Sequence, residues 1–233
     1  MKHRHGIALT GAGISVESGV PDFRSPGGLW ERFDPMEYAT IQAFCADPHR
    51  VWEMLGEMDK TISAARPNPA HLALADLEKA GVLSGIITQN IDNLHQNAGS
   101  KQVMEFHGNA SRLRCLKCNS TTNADQHETI PPLCECGEIL KPDVIFFGES
   151  IPQEAFRQST ELANTCKTML IVGTSATVVP ASMLPMLAKA NGALLVEFNL
   201  GPTEITHACD IAIHTSASKS LSWLAKRVKE LSY

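Results

Sequence analysis

Ile7-Ala8-Leu9-Thr10-Gly11-Ala12-Gly13-Ile14-Ser15 is the stretch whose reading decides the fold class. A short apolar run that breaks at two glycines one residue apart is the passage of a buried strand into a tight turn. If a helix follows, backbone N–H groups in such a turn can approach a pyrophosphate. The dinucleotide fingerprint places a glycine where Val16 stands, so simple hydride transfer is not indicated. Taken alone, the run is a tight turn into a helix; its neighbours give it chemistry. Pro21-Asp22-Phe23-Arg24 and Gly27-Gly28-Leu29-Trp30 follow, offering a carboxylate, an aromatic wall and a cation beside the glycines.

Further along, Ile86-Ile87-Thr88, Met169-Leu170-Ile171-Val172, Leu194-Leu195-Val196-Glu197-Phe198 and Ile211-Ala212-Ile213 also read as buried parallel strands. Helical patterns lie between them at 68–80, 153–164, 180–191 and 218–231. Strands alternating with helices predict an α/β fold, a Rossmann-like doubly wound parallel sheet. Two stretches interrupt the alternation. Residues 28–66 read as helical, anchored by Met36, Phe44, Val51, Trp52 and Leu55, while 109–141 is polar, irregular and rich in cysteine. The reading is therefore a dinucleotide-binding domain over 1–27, 67–108 and 142–233, with a small helical and metal-binding domain over 28–66 and 109–141.

The cysteines argue for the metal. Of seven, Cys115, Cys118, Cys134 and Cys136 cluster, while Cys45, Cys166 and Cys209 stand apart as small buried hydrophobes. Clustered cysteines without a secretion signal are metal ligands rather than disulfides. Cys115-x-x-Cys118 has knuckle spacing; Cys134-x-Cys136 is one residue short, and Gly137 is the residue that would turn it back. Four thiolates leave zinc no open position, so the ion is structural. His127 is the reserve ligand.

Thr88-Gln89-Asn90-Ile91-Asp92-Asn93-Leu94-His95 follows a strand at the end that lines the ligand crevice of an open sheet. Its amides and carboxylate suit a ribose and a carboxamide; equally, Asn90 or Asp92 caps the next helix. His107, in Phe106-His107-Gly108, stands where the chain leaves the sheet for the cysteine segment, and titrates in the range of a general base. His49, His127, His207 and His214 read as structural. Gly173-Thr174-Ser175 and Asn199-Leu200-Gly201 end strands and serve either as cofactor contacts or as plain turns.

A formal net charge of −5 gives no support for direct nucleic-acid binding, and no apolar run approaches a membrane span. The reading is a cytoplasmic protein of open oligomeric state, monomer preferred, without nucleic-acid or membrane partners.

Together these runs resemble the sirtuin family, of the bacterial or archaeal type, over almost the entire chain. The resemblance is carried by GAGISVESGVPDFRSPGGLW, PNPAH, TQNIDNLH, FHG, the two cysteine pairs, KPDVIFFGE, GTS and EFN. It implies an NAD-dependent protein-lysine deacylase (deacetylase), acting on acyl-lysine proteins or peptides with NAD as co-substrate and structural zinc. The acyl-lysine carbonyl oxygen attacks the ribose carbon of NAD and nicotinamide leaves. His107 then acts as base on a ribose hydroxyl, and the products are free lysine and O-acyl-ADP-ribose. Asn90 joins His107 as a catalytic residue. The resemblance further implies that Gln89, Asn90 and Asp92 hold the ribose and the nicotinamide carboxamide. Gly11, Ala12, Gly13, Ser15, Asp22, Phe23, Arg24 and Trp30 belong to the cofactor loop. Gly173, Thr174, Ser175, Asn199 and Ala217 would contact the phosphates and adenosine, and a strand through Val144, Ile145, Phe146, Phe147 and Gly148 would pair with substrate. Where desuccinylating members carry a tyrosine and an arginine, this chain has Leu55 and Met58. Two other activities are compatible with the motifs: protein ADP-ribosyl transfer on the same fold, and non-enzymatic NAD sensing through the zinc module.

Overall fold

A computed structural model describes residues 6–22 and 28–231. Phe23 and Arg24 lie outside them. In chain order the strands are β1 (Gly6–Thr10), β2 (Leu83–Thr88), β3 (Val103–Glu105), β4 (Gly108–Cys115), β5 (Thr121–Asn123), β6 (Leu140–Val144), β7 (Thr168–Val172), β8 (Leu194–Asn199) and β9 (Ile211–His214). The helices are α1 (Leu29–Arg32), α2 (Pro35–Tyr38), α3 (Ile41–Ala46), α4 (Pro48–Ala64), α5 (Pro69–Lys79), α6 (Leu94–Asn97), α7 (Gln153–Thr165), α8 (Leu184–Ala190) and α9 (Ala217–Leu231).

Six strands form one parallel sheet in the order β3-β2-β1-β7-β8-β9. Counted within that sheet this is 3-2-1-4-5-6, the order of the dinucleotide-binding fold, with its switch point between β1 and β7. The central strands β1, β2, β7 and β8 are largely apolar because both faces are covered, and the period of two sorts their side chains. Ile7, Leu9, Met169 and Ile171 pack towards α7 and α8 with Ala163 and Ala188. Ala8, Leu170 and Val172 pack the other way, on Leu74 and Leu77 of α5 and Leu221 and Ala225 of α9. Helix α5 starts sharply because Asn68 accepts from the N–H groups of Ala70 and His71, with Pro69 in the first turn.

The glycine run differs from its sequence reading in one respect. After β1 the chain forms two short 3-10 turns, Ala12–Ile14 and Val16–Ser18, rather than a regular α-helix. What packs there is backbone on backbone. Gly13 N–H donates to Gly173 O at 2.8 Å and Gly11 N–H to Val172 O at 3.1 Å. Gly173 has φ +58, and a Cβ on it would lie 2.3 Å from the Ile14 nitrogen, so no other residue fits the turn after β7.

Residues 109–141 are also more regular than their sequence suggests, because β4 pairs antiparallel with β5 and with β6. This small sheet shares one core with the helices of 28–66. Phe44, Val51, Trp52, Met54 and Leu55 meet Leu113, Cys115, Leu140, Val144 and Phe146 there. The Trp52 indole N–H donates to Leu140 O at 2.9 Å, fixing α4 on β6. Strand β6 ends at Val144, a correction to the predicted strand through Gly148. Glu149 accepts the N–H of Phe146 and Phe147 turns away to bridge Thr40, so the ladder cannot continue.

Candidate active site

Two adjoining cavities open at the carboxyl ends of β1 and β2. The smaller, about 140 Å³, is lined by Ala12, Ser15, Gln89, Asn90 and Asp92, with Leu29, Arg32 and Glu57 opposite. The larger, about 650 Å³, shares Gln89 and Met58 with it and adds Trp30, Leu55, His107 and Val144 to Gly148.

Polar contacts lock the smaller cavity. The Ser15 hydroxyl donates to Asp92 Oδ2 at 2.6 Å, and Leu94 N–H donates to Asp92 Oδ1 at 3.0 Å. The carboxylate therefore braces the loop after β1 and the start of α6 together, so the capping role coexists with a place in the cavity wall. Asn90 Nδ2 donates to Gly11 O and to Ser15 Oγ, both at 3.1 Å, which leaves its amide oxygen as the acceptor available to a ligand. Gln89 Nε2 reaches Thr174 Oγ1 at 3.0 Å, and Asn199 Nδ2 reaches Thr174 O at 3.1 Å, linking the ends of β2, β7 and β8.

His107 is half-buried, with Nδ1 3.1 Å from the Gln89 carbonyl oxygen. A carbonyl can only accept, so Nδ1 carries the proton and Nε2 is the bare, basic nitrogen. Burial pushes the imidazole below its ordinary pKa, only partly opposed by the bond to Gln89. The ring is a neutral base at pH 7 in the wall of the larger cavity.

Several predicted residues stand apart from both cavities. Gly173, Thr174 and Asn199 join through the bonds given above, while Ser175 is exposed and bonded to Thr177. Ala217 opens α9, and its neighbours Ser216 and Ser218 reach Glu17 and Asn68. Asp22 precedes α1, its carbonyl accepting Leu29 N–H at 3.4 Å. Asn68 was not singled out from sequence, yet its Nδ2 donates to Ile14 O at 2.7 Å and Ser18 Oγ at 2.9 Å, pinning the loop after β1 from behind. The signal was there: an N-cap asparagine has a side-chain N–H₂ left over.

Away from these cavities, the Sγ atoms of Cys115, Cys118, Cys134 and Cys136 all lie within 4.8 Å of one another, with two pairs at 3.6 Å. A tetrahedral zinc with sulfurs ~2.3 Å away would set them about 3.8 Å apart, so the set fits zinc as it stands. Gly137, at φ +85, makes the turn that brings Cys136 back, which answers the short spacing. The Ser120 hydroxyl and backbone hold the Cys118 thiol down to about 6, whereas at Cys136 the Glu138 backbone bond is outweighed by the neighbouring thiols, which push the thiol up to about 12. His127 is not in this cluster.

Residues 11–180 match the family model of the Sir2 family. A solved Sir2 homologue mutant in complex with ADP-ribose superimposes with a TM-score of 0.95 at 37% identity, covering 99% of this chain and 94% of that one. The chain belongs to the Sir2 family. Its relatives include NAD-dependent protein deacylase 2 of Pyrobaculum aerophilum, 50% identical over 97% of this chain and 92% of that protein. A Sir2–p53 peptide–NAD+ structure matches with a TM-score of 0.87 at 34% identity, covering 99% of this chain and 94% of the other. The sirtuin fold, a Rossmann-like sheet with a small zinc-binding and helical part, is thus that of this chain. Among the described residues no helix is long and apolar enough to cross a membrane.

Proposed function

We propose that this sirtuin removes acyl groups from lysine side chains of proteins or peptides in an NAD-dependent reaction. The observation that carries the reading is His107. Its bare Nε2 belongs to a cavity wall continuous with Gln89, whose neighbours Asn90 and Asp92 are held to Ser15 and Gly11. NAD, when bound, supplies the ribose carbon that accepts the acyl oxygen, the nicotinamide that leaves and the hydroxyl that finally carries the acyl group. The protein's part is to orient and to move protons. Asn90 presents its amide oxygen, Ser15 and Asp92 stiffen that wall, and the glycine turns at 11–13 and 173, packed on each other, fix the backbone that would meet the phosphates. His107 Nε2 takes the proton of the ribose hydroxyl, in the tautomer that Gln89 enforces.

Trp30 and the apolar pair Leu55 and Met58 shape the acyl side of the larger cavity, and the segment Val144 to Gly148 docks the peptide backbone by β-augmentation. Ser175, Asn199 and Ala217 serve the adenosine end, with Asp22, Phe23 and Arg24 in the cofactor loop. The small domain is taken as 28–66 and 109–141. The same reading gives a cytoplasmic protein of open oligomeric state, monomer preferred, that contacts neither nucleic acid nor membrane directly. Nicotinamide release from NAD should rise with added acetyl-lysine peptide, one nicotinamide per lysine freed. Lysine freed at full rate after exhaustive removal of NAD would end the proposal, and ADP-ribosylated protein without free lysine would favour the transferase.

A further inference from the structure

Lys141 is buried, with its side chain only 5% exposed. Its ammonium donates to Val144 O at 2.6 Å, Pro142 O at 3.1 Å and Glu149 Oε2 at 3.0 Å, and it lies 4.4 Å from the centroid of the Phe146 ring. Three donors meet three acceptors, with the ring face as a further partner. Glu149 Oε2 also accepts the Phe146 N–H at 2.7 Å. Burial pulls the ammonium pKa down and the Glu149 charge opposes it.

An ion pair so placed costs desolvation that a pair of apolar residues would avoid, so stability alone is a weak reason for it. What the pair does is shape backbone. Lysine bonds the carbonyl of Val144 and glutamate holds the N–H of Phe146, so the pair clamps the backbone where β6 ends and the chain turns towards Thr40. The bent segment is tied to its surroundings by Ile145 N–H to His107 O and by Phe147 N–H to Ala39 O, each 2.9 Å. It then lines the cavity that holds His107.

We infer that Lys141 and Glu149 are a positioning pair for the protein substrate, holding Val144 to Gly148 in the shape that docks the peptide backbone while leaving the NAD side untouched. The inference rests on the acyl-lysine reading of that cavity. It is tested with full-length, zinc-loaded wild type, Glu149→Gln, Lys141→Met and the double variant. Readouts are peptide KM and kcat at saturating NAD, NAD Kd by calorimetry, and anisotropy of a labelled acetyl-lysine peptide without NAD. Glu149→Gln and Lys141→Met should raise peptide KM and Kd about tenfold or more, with NAD Kd unchanged within about twofold. The double variant leaves no unpaired buried charge. It should regain wild-type thermal stability while keeping the weak peptide binding, which a merely structural pair would not do. Unchanged peptide Kd in folded variants, or equal losses for peptide and NAD, overturns the inference. If wild type binds the peptide but frees no lysine, the deacylase reading fails, and the anisotropy series still judges the pair.

Discussion

His107 shows how one hydrogen bond sets a chemical role. Because the Gln89 carbonyl fixes the proton on Nδ1, Nε2 is left as the basic nitrogen, and on the proposed reading removing the imidazole removes the base. His107→Ala should cut deacylation by roughly 10²–10⁴-fold while NAD Kd stays near wild type. Near-normal turnover would move the base elsewhere. The sign of the pH effect follows from burial. The protonated ring is inactive and its pKa lies below 6.5, so the acid limb of kcat/KM should fall below that value in wild type and be absent from the residual activity of the variant. Leu55 and Met58 make a second prediction at this scale. Both line the cavity with His107, and neither offers a charge to a terminal carboxylate. Arg32, in the adjoining cavity, is already paired with Glu57 at 2.6 Å. Burying an unpaired carboxylate is costly, so kcat/KM for acetyl-lysine should exceed that for succinyl-lysine. The reverse order would refute the placing of α4 at the acyl end.

At the scale of elements, the small sheet is the weakest part to stand alone. Strand β5 has three residues, and the β4–β6 register shifts between Asn109 and Leu113. Its apolar contribution to the shared core is chiefly Leu113, Cys115, Leu140 and Val144, so the four thiolates must supply much of its cohesion. Cys115→Ser or Cys134→Ser should lose the metal, about one zinc per chain in wild type, and loosen β4–β6. The Trp52 indole, bonded to Leu140 O, is a built-in reporter whose emission should shift as β6 detaches from α4. Activity should fall as a consequence, because Val144 and the following segment lose their base. A zinc-free protein with native emission and full activity would remove zinc from the account.

Across the whole molecule, the large sheet and the helices α5 and α6 are joined by buried polar groups that face acid with a liability. Thr10 Oγ1 bonds both Thr88 Oγ1 and His95 Nε2 at 2.9 Å, and the His95 ring lies 4.9 Å from that of His71. Burial pushes His71 down to about 4 and His95 to about 3. In the unfolded chain both titrate near 6.5, so below that pH the unfolded state binds more protons and stability falls as pH falls. The slope is at most about 1.4 kcal/mol per pH unit for each histidine. The loss should begin near pH 6.5 and level off once the folded rings also protonate, below about 4. Denaturant unfolding at pH 7.5 and pH 5 should differ by about 2 kcal/mol for each ring. A free energy that stays flat over that interval would mean the pair is not neutral and buried.

The amino-acid sequence determined the parts whose pattern lies within one element. Apolar runs and helical periodicity marked the strands of the large sheet and α5, α7 and α9, and two glycines one residue apart marked the turn after β1. Four cysteines in a short window marked the metal site, since ligand chemistry is legible without coordinates. Tertiary structure alone decided what depends on distant partners. The run 109–141 became a sheet because β4 meets β5 and β6, a pairing that its polar, irregular sequence does not announce. The expected strand through Gly148 ended at Val144 because Lys141 and Glu149 close on its backbone. The tautomer of His107 came from a carbonyl 18 residues earlier, and the bracing of Asp92 from a serine 77 residues before it. Periodicity reports which side of an element is buried; it carries no information about what is found there, and it is that partner which sets protonation, charge and bend.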